Sequence, residues 1–169
     1  MDKHKHEIIK LFSLDKVEFK ISSEAAHLSG LLNDCLEDFN DENIDVNVKS
    51  ESLMKVIEYL EHYKTNRQTE ITKPIPIEKD FKDIVEDWDY KFINNFDDDN
   101  LLQLIIASEY MRISHLHDLA CAKTSCIMRK ILKENGDNGP NLVAKRFDIE
   151  QNLDEEEMKK IEEEEFKSV

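Results

Sequence analysis

The stretch from Trp88 to Leu132 most constrains how this chain can fold, because its apolar residues fall on more helical faces than a free-standing surface helix can bury. From Ser114 onward, helical periodicity places five apolar side chains on one face: Leu116, Leu119, Ala120, Ile127 and Ile131. A second face carries Cys121, Met128 and Leu132. Two apolar faces predict a helix that lies between two other bodies. Residues 150–169 are highly charged and almost coreless, so the combination indicates a partner-binding module rather than a catalytic pocket.

Composition limits the kinds of partner. The 169 residues correspond to one domain, or to one domain with an appendage, and 40% of them are hydrophobic, which is enough for a globular core. The formal net charge of −15 argues against nucleic acid and against anionic membrane surfaces, because both attract cationic proteins. No apolar run approaches about 18 residues, so no membrane span is expected. Partners with basic or apolar faces fit this charge.

No pattern of residues points to catalysis or to a cofactor. The three glycines are too few and too scattered for a phosphate-binding loop. His115 and His117 are two apart on a predicted helix and point in different directions, so they do not form a metal pair. The acidic run from Asp97 is expected to cap a helix rather than to bind calcium. We therefore expect no enzyme activity, no metal and no cofactor.

Cysteine usage indicates the compartment. An odd number of cysteines within helical patterns is typical of reduced thiols in an intracellular protein, here expected in the cytoplasm and nucleus. The three residues are Cys35, Cys121 and Cys126.

Periodicity predicts the order β-β-α-α-β-α, followed by helices only. Strands are expected at 8–12, 17–21 and 44–48, the last two with alternating apolar and polar residues. A helix is expected to start near Ser22, and an amphipathic helix follows it with one apolar face: Leu28, Leu31, Leu32, Cys35, Leu36 and Phe39.

The second half of the chain is expected to be helical after one loop. Ser50 is the expected N-cap of the next helix, in which Glu51 and Lys55 should form an ion pair. Two prolines and many polar residues predict a loop over 66–80. Later helices are expected to begin at four capping or first-turn residues: Asp97, Ser114, Pro140 and Asp154.

Three segments, in this order and spacing, match a known pattern. The most specific is WDYKFI at 88–93 followed by LLQLIIASEYMRISHLHDLACAKTSCIM at 101–128. The others are FKISSEAAHLSGLLNDCLED at 19–38 and the spaced Pro, Val and Phe-Asp-Ile of 140–149. With these motifs the chain resembles the S-phase kinase-associated adaptor family of SCF (cullin–RING) ubiquitin ligases over nearly its whole length.

The sequence departs from that family at a few positions. Lys16 follows Asp15 where the family has a turn glycine, and His115 stands in place of a glycine. Glu109 stands where the family usually has asparagine, and His117 interrupts the family's Leu-Leu-Asp.

The resemblance implies an α+β fold, with a POZ (BTB-like) domain built on a small three-stranded sheet with helices, and an all-helical C-terminal extension. Residues 1–66 would form the N-terminal part of the POZ domain and residues 67–87 a flexible linker or loop. Residues 88–132 would supply the C-terminal POZ helices, a dimerisation-type region, and residues 133–169 the F-box-binding extension.

The resemblance also implies a function. The chain would be a non-catalytic adaptor that bridges a cullin scaffold to F-box proteins, with Glu109 and Tyr110 in the cullin-binding surface. Nine apolar residues would contact the F-box protein: Ile127, Met128, Ile131, Leu132, Val143, Phe147, Ile149, Met158 and Ile161. The tail is expected to be mobile in the free chain and to become ordered on the F-box protein.

Several alternatives stay open. Pro140 is either an ordinary first-turn proline or a residue that is hydroxylated and then glycosylated, as the matching proline is in some protist members. The chain could instead be an Elongin-C-like adaptor or a POZ homodimeric scaffold, and a weak homodimer is expected for the chain free of F-box protein. The segment 139–169, which Elongin C lacks, favours the SCF adaptor. A hydrolase with paired carboxylates is disfavoured because no such pair is flanked by pocket-forming apolar runs.

Overall fold

The structure, a computed structural model, describes residues 8–38, 43–76 and 78–149. Its elements in chain order are β1 (Ile8–Phe12), β2 (Glu18–Ser22), α1 (Ser23–Ala26), α2 (Gly30–Asp38), β3 (Asn43–Asp45), α3 (Ser50–Tyr63), a 3-10 turn (Phe81–Asp83), α4 (Asp87–Ile93), α5 (Asp98–Tyr110), α6 (Ser114–Asn135), a second 3-10 turn (Gly136–Asn138) and α7 (Gly139–Arg146). The predicted order and the α+β class are confirmed. The helix expected from 154 lies outside the described residues.

The sheet has three strands in the order β2-β1-β3. β1 pairs antiparallel with β2, with Ile9 opposite Ile21, and it pairs parallel with β3, with Leu11 opposite Ile44. All four of these side chains are buried, because alternate residues of a strand point to the same face. β3 ends at Asp45 and is shorter than the expected 44–48.

The β1–β2 turn contacts the start of α3. Lys16 has a φ of 63°, in the left-handed region that glycine would occupy at no steric cost. The carboxylate of Asp15 accepts bonds from the Ser50 backbone N–H at 2.8 Å and from its hydroxyl at 2.5 Å, and these bonds lower the pKa of Asp15 to about 2. The prediction that Ser50 is the N-cap of α3 is wrong. Lys49 is the N-cap, and Ser50 is the first helical residue.

Two helices follow β2, as the predicted order requires. α1 ends at Ala26 and α2 begins at Gly30, which leaves Leu28 exposed rather than on the predicted apolar face. Between the two helices, the Ser29 hydroxyl accepts from the Leu32 backbone N–H at 3.3 Å and donates to the carbonyl of Met111 at 2.6 Å. Phe39, also placed on that face, lies outside the described residues.

α3 lies at the centre of the larger unit. Its buried residues follow the predicted face: Leu53, Val56, Tyr59, Leu60 and Tyr63. The predicted pair of Glu51 with Lys55 does not form, because Lys55 instead contacts Glu58 at 2.8 Å. The predicted loop over 66–80 is confirmed, since no helix or strand is assigned within its described residues.

Polar groups are buried among the aromatic side chains of α3 and α4. The Tyr63 hydroxyl donates to the Asp89 carboxylate at 2.8 Å, and both residues are buried. Burial raises the pKa of Asp89, although the bond from Tyr63 acts in the opposite direction. Burial also raises the pKa of Tyr63, as does its bond to the carboxylate.

His115 joins this network to the loop. Its Nε2 lies 2.5 Å from the Thr69 carbonyl oxygen, and its Nδ1 lies 2.5 Å from the Tyr59 hydroxyl oxygen. A carbonyl can only accept, so Nε2 carries the hydrogen, and in the neutral ring Nδ1 accepts from Tyr59. The loop is thereby held to α6 by the His115 side chain.

The contacts divide the chain into two compact units, Met1–Cys126 and Ile127–Val169. The larger unit holds the sheet, helices α1 to α5 and the part of α6 up to Cys126. The smaller one, within the described residues, holds the end of α6, the second 3-10 turn and α7. The domain limits given above stay predictions. In the part of the chain that the structure describes, no helix is long and apolar enough to cross a bilayer, and no three metal-binding side chains are grouped to hold an ion.

Candidate protein-interaction surfaces

α5 positions the first candidate surface. The Asp97 carboxylate accepts from the Asn100 backbone N–H at 2.8 Å and caps the helix, as predicted, and two more acidic residues follow in the first turn. The inner side of α5 is buried against α3 through Leu101 and Leu104. With its start capped and its inner side packed, α5 holds its last turn in a defined position.

The turn between α5 and α6 is held by α2. Arg112 has a φ of 53°, and its guanidinium donates to the Gly30 carbonyl at 2.8 Å and pairs with the Asp34 carboxylate. The Gly30 backbone N–H donates to the Arg112 carbonyl at 3.2 Å. A Cβ on Gly30 would lie only 3.1 Å from the Cβ of Arg112, so this approach favours glycine. The turn therefore fixes the end of α5 relative to the start of α6.

The last turn of α5 presents three exposed side chains, which we call the α5 terminal face: Ile106, Glu109 and Tyr110. Ile106 is 61% exposed, Tyr110 is 40% exposed, and the Glu109 side chain is 77% exposed. Residues three and four apart lie on the same side of a helix, so the three are neighbours. The structure thus places the two predicted cullin-binding residues together and adds Ile106. The sequence could have indicated Ile106, because its isoleucine does not fall on the apolar face of α5 that carries Leu101 and Leu104.

Tyr110 is oriented by a backbone contact. The Asn47 N–H donates to the Tyr110 hydroxyl oxygen at 3.3 Å. The hydroxyl acts as an acceptor in this bond, so its own proton stays available for a partner's acceptor. The Tyr110 ring therefore offers apolar surface and a hydrogen-bond donor at one point.

Glu109 faces the beginning of α6. Its carboxylate lies 3.8 Å from Nε2 of His117, and this contact becomes an ion pair only when the imidazole is protonated. The ring nitrogens of His117 also lie 3.7 and 3.9 Å from the sulfur of Cys121, one helical turn further on. Burial raises the pKa of the Cys121 thiol, which favours its neutral form.

The first half of α6 packs into the larger unit as the sequence predicts. Three side chains of its predicted inner face are fully buried: Leu116, Leu119 and Ala120. Lys123 is half-buried, donates to the Asn94 side chain at 3.0 Å and lies 4.9 Å from the centre of the Phe81 ring. Burial lowers the pKa of Lys123.

All nine predicted F-box-binding residues belong to the smaller unit, and the structure describes seven of them. Four of them are half-buried: Ile127, Met128, Ile131 and Val143. Leu132 and Ile149 are 43% and 50% exposed, whereas Phe147 is buried. Met158 and Ile161 lie outside the described residues, as does the tail that was expected to be mobile.

A close backbone approach shapes the smaller unit. A Cβ on Gly139 would lie 2.8 Å from the Cα of Leu132, so only glycine lets α7 start this near to the end of α6. Pro140 follows in the first turn of α7 and is exposed. The predicted first-turn position of Pro140 is confirmed, and its modification stays a prediction.

A groove of about 520 Å³ on the larger unit contains none of the predicted site residues. Its apolar lining comes from α3, α4, α5 and the α4–α5 link: Met54, Phe92, Phe96 and Leu104. Lysine and glutamate side chains of both signs surround it. The groove has no candidate nucleophile with a partnered base, so it lends no support to the hydrolase alternative.

Comparison with known proteins identifies relatives along nearly the whole chain. The family model described as "Skp1 family, tetramerisation domain" matches residues 7–65. The chain is 33% identical over 159 residues to the "S-phase kinase-associated protein 1 homolog" of Tetrahymena thermophila, covering 92% of this chain and 90% of that protein.

Two fungal proteins extend the likeness. The "Suppressor of kinetochore protein 1" of Schizosaccharomyces pombe is 30% identical over 156 residues, covering 90% of this chain and 92% of that protein. The "E3 ubiquitin ligase complex SCF subunit sconC" of Arthroderma benhamiae is 32% identical over 152 residues, covering 88% and 87%. The matched length in all three includes the segment beyond the family model.

Proposed function

Because the chain belongs to the Skp1 family, we propose that it is the adaptor subunit of an SCF ubiquitin ligase, which joins a cullin scaffold to F-box substrate receptors. The observation that carries the proposal is that the chain matches these relatives over nearly their whole length, and one of them is named as an SCF subunit. The adaptor raises the effective concentration of a substrate near the conjugating machinery and does no chemistry itself.

The cullin side of the proposal rests on the α5 terminal face. Ile106 and Tyr110 are large exposed side chains on a helix end that is fixed by capping and by the Arg112 turn. Exposed aromatic and aliphatic groups on a rigid support are typical of residues that dominate binding energy at interfaces. Tyr110 is therefore the expected anchor, with Glu109 beside it.

The F-box side rests on the smaller unit. Its described part, residues 127–149, exposes Leu132 and Ile149 and leaves four further predicted residues half-buried, namely Ile127, Met128, Ile131 and Val143. An F-box helix that covers these residues would remove apolar surface from water, at roughly 25 cal/mol for each Å².

The compartment of the proposed adaptor follows from its cysteines. Their thiols are expected to be reduced, so the chain is proposed to act in the cytoplasm and nucleus.

Pro140 is exposed at the start of α7, so a modifying enzyme could reach it. A mass shift on the Pro140 peptide from native protein would support hydroxylation, and an unmodified peptide would contradict it.

Capture of partners by the tagged full chain in its own cells tests the proposal. Tyr110→Ala should lose the cullin and keep F-box proteins, whereas Leu132→Asp should lose F-box proteins and keep the cullin. Ile8→Ala and Leu28→Asp are matched controls, because they change exposed apolar residues on β1 and in the α1–α2 link. Recovery of box-motif proteins other than F-box proteins would favour the Elongin-C-like alternative. Recovery of neither partner class would refute the proposal.

A further inference from the structure

Glu109 sits where its own helix disfavours a negative charge. α5 carries two acidic residues in its first turn and no basic residue in its last turn, where Glu109 lies. The unpaired carbonyls at a helix C-terminus repel a carboxylate, so this position normally favours lysine, arginine or histidine. The acidic side chain is therefore not explained by the stability of α5.

The contact between Glu109 and His117 is long and exposed, so it offsets the charge of Glu109 only weakly. His117 approaches the carboxylate at 3.8 Å but carries a charge only when protonated. In the part of the chain that the structure describes, Glu109 has no further ion pair, and its side chain stays 77% exposed.

The residues around Glu109 limit which kind of partner side chain can contact its carboxylate. Ile106 and Tyr110 lie on the same side of α5 and are exposed, so a partner that covers them also covers the carboxylate. Covering a carboxylate without supplying a donor is strongly unfavourable. A lysine or arginine on the partner satisfies it, and the attraction then strengthens as water is excluded.

We infer that Glu109 is a specificity determinant of the α5 terminal face, and that it selects a cullin whose surface presents a lysine or arginine beside the contacts to Ile106 and Tyr110. A cullin with an acidic residue at that point would be repelled, so the same side chain excludes wrong scaffolds. This inference rests on the proposed function, because it names the chemistry of the partner at the same surface.

Binding measurements with purified full-length cullins of the source organism test the inference. Glu109→Gln keeps the shape and removes the charge, so the dissociation constant should rise about 10-fold at low salt, with a smaller effect at high salt. Glu24→Gln is the matched control, since Glu24 is also exposed on a helix and its loss changes the net charge equally. It should leave the constant unchanged.

A second variant separates recognition of the partner from an internal role. If Glu109 acts on the partner, His117→Gln should change the dissociation constant less than twofold. If it acts only by holding His117, the two substitutions should weaken binding equally and without additivity, and the inference is wrong. Glu109→Lys should bind poorly and should be rescued when the facing basic residue of the cullin is changed to glutamate.

The role of the Glu109 charge and the adaptor function can be refuted separately. Unchanged or tighter binding by Glu109→Gln, with Tyr110→Ala still defective, overturns the role of the charge and leaves the adaptor function intact. Failure of the unmodified chain to bind any cullin overturns the proposed function, and with it this inference.

Discussion

Replacing Arg112 by glycine and by alanine should separate backbone strain from side-chain contacts in the turn that positions Tyr110. A non-glycine residue at a φ of 53° costs about 1–2 kcal/mol. The bond from the Arg112 guanidinium to the Gly30 carbonyl stabilises the fold by roughly 0.5–1.5 kcal/mol. Its pair with Asp34 is half-exposed and adds about 0–1 kcal/mol.

These magnitudes give different results for the two variants. Arg112→Gly relieves the strain and loses the contacts, so the free energy of unfolding should stay within about 1 kcal/mol of the original. Arg112→Ala keeps the strain and loses the same contacts, so the free energy of unfolding should fall by about 1–2 kcal/mol. Urea unfolding of the full chain measures both, with Asp34→Asn as the control for the ion pair alone.

The refuting result is an alanine variant at least as stable as the glycine variant. It would mean that the left-handed conformation of Arg112 carries no cost, and that the turn is held by something other than the contacts to α2.

The remaining predictions concern the β1–β2 turn, the buried network and the smaller unit. Lys16→Gly should raise the free energy of unfolding by up to about 1 kcal/mol, because Lys16 has a positive φ and its ion pair is exposed; an equal gain with alanine would contradict this. Tyr63→Phe should lower it by about 1–3 kcal/mol, since the buried Asp89 loses its donor, and an unchanged urea midpoint would contradict that. The pKa of Asp89 is raised, so the folded state prefers the protonated carboxyl, and the stability that this carboxyl contributes is lost as pH rises through that pKa. Asp89→Asn does not titrate, so its free energy of unfolding should rise relative to that of the unmodified chain from acidic to neutral pH. A difference between the two proteins that stays constant with pH in urea unfolding would refute the raised pKa. Gly139→Ala should speed hydrogen exchange in residues 127–149 but not in the larger unit, because the added Cβ would clash with Leu132.

Elements that depend on local chemistry could be predicted from the sequence. The alternation predicted for the second strand, the cap at Asp97 and the helix starts at Ser114 and Pro140 all involve residues close together in the chain. The family was predicted from motifs in their order and spacing, and it is confirmed. Together these gave the fold class and the element order.

The errors came from contacts distant in sequence. Apolar periodicity places Leu28 on the buried face of α2, but Leu28 is exposed in the α1–α2 link, where the neighbouring Ser29 bonds to Met111, 82 positions away. Ser50 has an ordinary capping sequence, but Asp15, 35 positions earlier, bonds to its N–H. Neither partner is visible in a local window of sequence.

The candidate surface shows the same limit. Tyr110 and Glu109 were named from the family pattern, and their predicted role still awaits a binding measurement. The approach of Glu109 to His117 could not be predicted, because it depends on the turn at Arg112 that sets α5 against α6. The exposed Ile106 was missed because an isolated apolar residue on a polar face is common on protein surfaces.

The most direct test of the central claim is whether one copy of the chain holds a cullin and an F-box protein at the same time. Native mass spectrometry of the three purified full-length proteins measures this. The account predicts a species with one copy of each, together with loss of only the cullin when Tyr110 is changed to alanine. Mutually exclusive binding of the two partners, or a stable homodimer that binds neither, would contradict it.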